Sequence, residues 1–176
     1  MASELRLLPL PLFLLLALSA IRLSSADGLF IVRTCSQTAS SVKCVALLQS
    51  DKRSYDATTV QPLAQIALNL TTIETSKVLS TLTTLRDQHS GEPIEQPLGQ
   101  CAELYSNAVD DLQDAAESLA SQSYEDATKS VDDAQSMPDS CEVAFEDGLK
   151  SPVTEEAQIV KDDLSVTYDL LDLLSG

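Results

Sequence analysis

The sequence predicts an all-α domain, and composition and residue spacing are the main observations behind that prediction. Among 176 residues, 4% are aromatic, Trp is absent and only five are Gly, a profile that suits helices packed through small and aliphatic side chains. Apolar residues recur at spacings of three and four, which is the period of amphipathic helices. The four Cys are an even number, which in an exported chain indicates a disulfide framework.

Residues 1–26 have the features of a secretory signal peptide. Arg6 precedes an apolar run over 7–18, and residues 24–26 are a Ser-Ser-Ala tripeptide that a signal peptidase accepts. The apolar run is too short to span a bilayer comfortably. We therefore expect cleavage after residue 26 and a secreted domain over residues 27–176, with no membrane segment after cleavage.

The mature domain is strongly acidic. The chain has 11 Lys and Arg and 27 Asp and Glu, of which Arg6, Arg22 and Glu4 lie in the leader, so the mature domain keeps 9 basic and 26 acidic residues and a formal charge of −17. Such a field repels nucleic acid and anionic lipid, and it favours either a basic partner or a merely solvated surface.

Residues 30–55 are the first predicted unit, a helical hairpin in which Cys35 and Cys44 enclose a short polar loop. A disulfide between them would stabilise the fold by about 2–3 kcal/mol through chain entropy. The first long helix is predicted over 57–87 from apolar positions at helical spacing: Val60, Leu63, Ala67, Leu70, Val78, Leu82 and Leu85. Residues 88–100 contain two Gly and two Pro and are predicted to form a loop.

The helical period resumes from Cys101 and stops at residues 121–123. Ser123 followed by Asp126 resembles a capping box, so the next helix is expected to begin near Tyr124. Its apolar positions continue to residue 145, but Pro138 must end or kink it because proline lacks a backbone donor.

The last helix is predicted to begin after Lys150, with Ser151 as N-cap, Pro152 at the first helical position and acidic residues in the first turn. Its apolar residues alternate strictly at spacings of four and three, which is typical of a seam in a helical bundle. They are Val153, Ala157, Val160, Leu164, Thr167, Leu171 and Leu174.

The cysteines test this topology. If residues 101–120 and 124–145 form an antiparallel pair that turns near Gln122, Cys101 lies 21 residues before the turn and Cys141 lies 19 residues after it. Because both helices rise by the same distance per residue, the two cysteines come to about the same height. They are within disulfide reach if the two helices are neighbours. Pairing between the two units, such as Cys35 with Cys101, stays open.

Enzyme chemistry is not indicated. The one His, His89, lies in a predicted loop without the Cys, His or carboxylate spacing of a metal site. Adjacent carboxylates occur on predicted helix surfaces, where nothing indicates the burial that shifts a catalytic pKa. No phosphate-binding loop or nucleophile elbow is present. We expect no enzyme activity, no cofactor and no metal. Separately, Asn69, Leu70 and Thr71 form a glycosylation sequon, whose sugar fits if Asn69 faces outward, as the period allows.

Over essentially the whole mature domain, the sequence resembles the plant inhibitors of pectin methylesterase and acid invertase, a family that includes acidic pollen-allergen-like members. The resemblance rests on the four-cysteine spacing and on short stretches: Leu48 with residues 50–54, then 101–105, 123–127, 141–142 with Phe145, and Ser151 with Pro152. It implies an up-and-down four-helix bundle over 57–176 preceded by the stapled hairpin. It also implies sequential disulfides, Cys35 with Cys44 and Cys101 with Cys141.

The resemblance implies an inhibitor that is secreted to the plant cell wall, the apoplast. It would dock 1:1 over the substrate cleft of its target enzyme. Invertase inhibitors of the family are thought to use a Pro-Lys-Phe segment at the turn between the second and third bundle helices. Here the corresponding residues are Tyr124, Glu125 and Asp126. A carboxylate in place of the lysine would be repelled by catalytic carboxylates.

Three functional hypotheses follow, and the first is an inhibitor of plant pectin methylesterase. Its candidate docking residues are Asp110, Asp114 and Glu117 on one predicted flank of the second bundle helix, together with the turn residues 124–126. The alternative for those acids is a solvated helix face. The second hypothesis is an inhibitor of acid invertase, and the third is a secreted, allergen-like bundle without inhibitory activity.

Overall fold

A computed structural model of the chain describes residues 28–145 and 148–176; the predicted signal peptide, residues 1–26, lies outside them. All the regular structure in the described ranges is helical, which confirms the all-α prediction. In chain order the helices are α1 (28–35), α2 (Ser41–Gln49), a 3₁₀ turn (Lys52–Asp56), α3 (Val60–Gln88), α4 (Glu95–Ala120), α5 (Tyr124–Gln135), α6 (Met137–Ala144) and α7 (Thr154–Ser175).

Four of these helices form the bundle. Helix α3 packs against α4, α4 against α5, α5 against α7, and α7 against α3, which closes the four-membered ring. The connections 89–94 and 121–123 are short, so consecutive helices run up and down. Helix α6 lies beyond α5 and packs on both α4 and α7. The predicted up-and-down four-helix bundle is confirmed.

The seam of α7 accounts for much of the core. Six of its seven predicted positions are buried, and only Leu174 stays half-exposed, near the chain end. A fully buried Leu such as Leu164 stabilises the fold by about 1.5–3 kcal/mol relative to an exposed one. Thr167 is a buried polar member of the seam, and its Oγ1 lies 2.8 Å from Thr71 Oγ1 of α3. This seam is therefore aliphatic apart from one hydroxyl pair across the α3–α7 contact.

The N-terminal hairpin packs on α7. Ile31 of α1 and Leu48 of α2 are fully buried, and the Ala39 amide between the two helices donates to Asp169 Oδ2 at 2.8 Å. Lys43 of α2 forms an ion pair with Asp162 of α7. These contacts fix the hairpin on the bundle through both apolar burial and charge-assisted hydrogen bonds.

Both disulfides join cysteines that are sequential in the chain. Cys35 and Cys44 link α1 to α2 with their Cα atoms 5.5 Å apart. Cys101 and Cys141 link α4 to α6 with a Cα separation of 4.7 Å. All four cysteines are fully buried. The second bridge holds α6 against the bundle after the break at the end of α5.

The predicted loop over 88–100 is wrong in its second half, because α4 already begins at Glu95. Pro97 lies in the first turn, where a backbone donor has no partner within the helix, so proline costs nothing there. Gly99 is also helical. The actual connection is closed by Gly91, whose φ of +84° is readily adopted only by glycine. Its amide donates to Glu95 Oε2 at 2.6 Å.

Two helix starts also differ in detail from their predictions. Helix α5 begins at Tyr124 as expected, but the Ser123 side chain makes no capping hydrogen bond, so the predicted capping box does not form. Helix α7 begins at Thr154 with Val153 as N-cap, later than predicted. Ser151 Oγ accepts from the Val153 amide at 3.3 Å, so Ser151 stabilises the preceding turn instead. Pro138 lies in the first turn of the separate helix α6, which confirms the predicted break.

Candidate functional site: the carboxylate face of α4

The candidate docking residues of α4 lie on its solvent side. Asp110, Asp114 and Glu117 are all exposed, and their spacings of four and three place them on one side of the helix. The opposite side carries the buried row Ala108, Leu112, Ala115 and Leu119. The core row therefore fixes the direction of the three acids, and we call them the carboxylate face.

A fourth acid extends this face toward α5. Asp111 is half-buried, and burial raises the pKa of its carboxyl, with further increases from the negative charges of Asp133, Asp114 and Asp110. Lys129 of α5 acts in the opposite direction, and its Nζ also contacts Asp133 Oδ2 at 2.6 Å. The acidic surface thus extends from α4 toward α5, where Lys129 partly neutralises it.

The turn residues occupy the start of α5, next to the end of α4. Glu125 and Asp126 are exposed in the first turn of α5, where the helix dipole favours negative charge. Tyr124 is half-buried, and its hydroxyl donates to Gln61 Oε1 of α3 at 3.3 Å. The turn itself contains Gln122 at a φ of +63°. The two acids are therefore available to a partner, whereas Tyr124 also holds α5 to α3.

Sequence reasoning missed Asp111, Lys129 and Asp133 as neighbours of the carboxylate face. The four-residue spacing of Lys129 and Asp133 does indicate an ion pair along one helix. By contrast, the approach of Asp111 to that pair depends on how α4 is rotated against α5. Helical period alone does not determine that rotation.

The described residues 28–145 and 148–176 contain no group of three or more His, Cys, Asp or Glu that could hold a metal ion. His89 is part of the α3–α4 connection, where its Nδ1 lies 3.0 Å from Glu92 Oε2. Asn69 is exposed on α3 and its Oδ1 accepts from Arg53 Nη2 at 3.4 Å. Within the same described ranges, no helix combines the length and apolar character needed to cross a bilayer.

Solved structures with the same helical fold exist. The chain matches the crystal structure of a mutant form of a pectin methylesterase inhibitor from Arabidopsis with a TM-score of 0.67 and 21% identity, over 79% of this chain and 93% of that one. It matches a crystal structure of a pectin methylesterase inhibitor from Arabidopsis thaliana with a TM-score of 0.62 and 20% identity, over 82% and 95%. At this level of identity the likeness concerns the fold.

Comparison of sequences gives the family. Putative invertase inhibitors from Platanus orientalis and Platanus acerifolia are each 29% identical to this chain over 115 residues. That alignment covers 64% of this chain, with 67% of the first relative and 64% of the second. The family model described as plant invertase/pectin methylesterase inhibitor matches residues 29–170. Members of that family are inhibitors and not enzymes. The chain belongs to the plant invertase/pectin methylesterase inhibitor family.

Proposed function

We propose that this protein inhibits a plant pectin methylesterase by docking 1:1 over the substrate cleft of the enzyme, with the carboxylate face of α4 at the interface. The observation that carries the proposal is the exposed row Asp110, Asp114 and Glu117, on a helix whose opposite side is locked into the core. Family membership supports inhibition as the activity, because the matching family is described as plant invertase/pectin methylesterase inhibitors.

The negative charge of the carboxylate face favours a partner with a basic binding surface. Complementary fields raise association rates and orient the partner before contact. In the part of the chain that the structure describes, none of the three carboxylates forms an ion pair within the protein. A basic partner would therefore not have to break an internal salt bridge to reach them. Because the acids lie on one long helix, their spacing is fixed before binding, which limits the entropy lost on association.

Inhibition of an acid invertase is the second candidate, favoured by the two relatives named as putative invertase inhibitors. The turn residues argue against the Pro-Lys-Phe mode that the family resemblance implies. Glu125 and Asp126 are exposed carboxylates, and catalytic carboxylates of an invertase would repel them. An invertase inhibitor of this sequence would therefore have to use another surface.

We propose the plant cell wall as the site of action, reached through the secretory pathway. The support is the leader-like segment 1–26 together with the disulfides, which persist in oxidising compartments. Burial and the neighbouring acids raise the pKa of Asp111 beside this surface, so in the acidic wall that carboxyl takes up a proton more readily and attraction to a basic enzyme weakens. Inhibition should therefore be weaker at about pH 5 than at about pH 6.5.

A paired inhibition assay tests the proposal. The oxidised protein is added to a plant pectin methylesterase and to an acid invertase, each at the two pH values above. Inhibition of the esterase alone is the expected result. Inhibition of the invertase alone would refute the lead proposal and would mean that the acidic turn does not prevent that activity. If neither enzyme is inhibited, the protein is a non-inhibitory bundle of the same fold.

A further inference from the structure

The glycosylation sequon lies in an unusual place. Asn69, Leu70 and Thr71 are in the middle of α3, and not in a loop. The Asn69 side chain is exposed, whereas Thr71 is 0% exposed. The two residues that define the acceptor motif therefore face opposite environments in the folded protein.

The Thr71 hydroxyl is fully engaged in the core. It donates to the Ala67 carbonyl at 2.9 Å, so the 2.8 Å contact with Thr167 Oγ1 must be a hydrogen bond that Thr167 donates. Helical hydrogen bonds also hold the backbone of this segment within α3. A transferase that must recognise both the asparagine amide and the hydroxyl two residues later cannot reach that hydroxyl unless α3 separates from α7 and unwinds.

We propose that Asn69 is an N-glycosylation site that can be modified only before the chain folds. In that reaction the Asn69 side-chain nitrogen attacks the anomeric carbon of an oligosaccharide carried on a lipid pyrophosphate. A carbon–nitrogen bond forms, the carbon–oxygen bond to the pyrophosphate breaks, the lipid pyrophosphate leaves as an anion, and the amide gives up one proton. The donor is supplied by the export machinery, so this inference rests on export of the chain.

The folded protein has room for the sugar once it is attached. Asn69 contacts the Arg53 guanidinium at 3.4 Å and borders an open surface groove, whose lining includes Asp56, Pro62 and Gln65. The buried residues of α3 that pack against α7 lie on the other side of the helix. A glycan at Asn69 therefore leaves the α3–α7 contact intact, and folding can follow modification.

The test compares glycosylation of the chain during import into microsomes with glycosylation of the chain after it has folded. The full chain is translated in the presence of microsomes, and separately the purified chain is offered, folded and oxidised or reduced and unfolded, to detergent-opened microsomes. We expect one glycan at Asn69 after import and on the unfolded chain, and none on the folded chain. Asn69→Gln should remove the modification in every case.

A matched control reports that import and transferase are active. In an Asn69→Gln background, Gln88→Asn creates a sequon at positions 88–90 that ends in Ser90, which is exposed. We expect this variant to be modified both during import and after folding. The proposal is overturned if the control is modified while imported wild-type chain is not. It is equally overturned if the folded wild-type chain is modified as fast as the folded control.

Discussion

Asp163 on α7 makes the stability of this protein depend on pH. Its side chain is half-buried, and burial, together with the negative charges of Glu74 and Asp162, raises its pKa from 3.8 to about 6. Among the described residues no cation pairs with Asp163, while Lys77 pairs with Glu74 at 2.8 Å and Lys43 pairs with Asp162. The Asp163 carboxylate is therefore unfavourable in the folded protein when it is ionised.

The sign and size of the effect follow from proton linkage. An acid whose pKa is higher in the folded chain keeps a proton that the unfolded chain releases, so stability falls as the pH rises from 3.8 to about 6. That interval corresponds to at most about 3 kcal/mol. Solvent around the half-buried carboxyl screens part of this, which leaves about 1–2 kcal/mol.

Replacement of Asp163 by Asn tests this reasoning. Because Asn is neutral at all pH values, we expect Asp163→Asn to raise the free energy of unfolding by about 1–2 kcal/mol at about pH 7 and to change it little at about pH 4. Urea unfolding followed by circular dichroism at the two pH values measures the difference.

The neighbouring residue provides a matched control. Asp162 accepts from Gln158 Nε2 at 2.9 Å and pairs with Lys43. Asp162→Asn removes these contacts but also one of the negative charges beside Asp163, so we expect it not to stabilise the protein by the amount that Asp163→Asn does at about pH 7. An unfavourable Asp163 carboxylate is excluded if Asp163→Asn is destabilising at about pH 7, or if its effect is the same at both pH values.

Two further predictions concern the core. Replacing Cys101 and Cys141 together by Ala opens a 40-residue loop and should lower the free energy of unfolding by about 4 kcal/mol; an unchanged urea midpoint would contradict this. Thr71→Val leaves the Thr167 hydroxyl without its acceptor and should cost about 1–2 kcal/mol. Adding Thr167→Val should recover part of that loss, whereas strictly additive losses in the double-mutant cycle would exclude coupling of the two hydroxyls.

The sequence predicted the contacts of the bundle correctly where a single regular spacing determines which residues are buried or lie close together. The α7 seam alternates so regularly that its buried side was evident from the sequence, and Thr167 was correctly assigned to it. The similar distances of Cys101 and Cys141 from the turn likewise placed the two cysteines near each other, and the structure contains that disulfide. In both cases helical geometry brings the residues close together, whereas the choice of this disulfide over a pairing with Cys35 came from the family resemblance.

The remaining features depend on interactions that spacing does not encode. Pro97 was interpreted as a loop residue, although proline in a first helical turn loses no hydrogen bond. Asp162 and Asp163 look alike in the sequence, but packing of α7 pairs the first with Lys43 and buries the second beside acids. The proximity of Asp111 to α5 has the same origin, because it depends on helix rotation in the assembled bundle.

The most direct test of the proposed interface is the inhibition constant for a pectin methylesterase, measured after charge reversal. Asp110→Lys with Asp114→Lys reverses the carboxylate face, while Asp56→Lys with Asp87→Lys makes the same change in net charge at exposed sites on other elements. We predict that the first pair weakens inhibition at least about tenfold more than the second, with unchanged helix content. Equal effects of the two pairs, or no effect of the first, would contradict docking through α4.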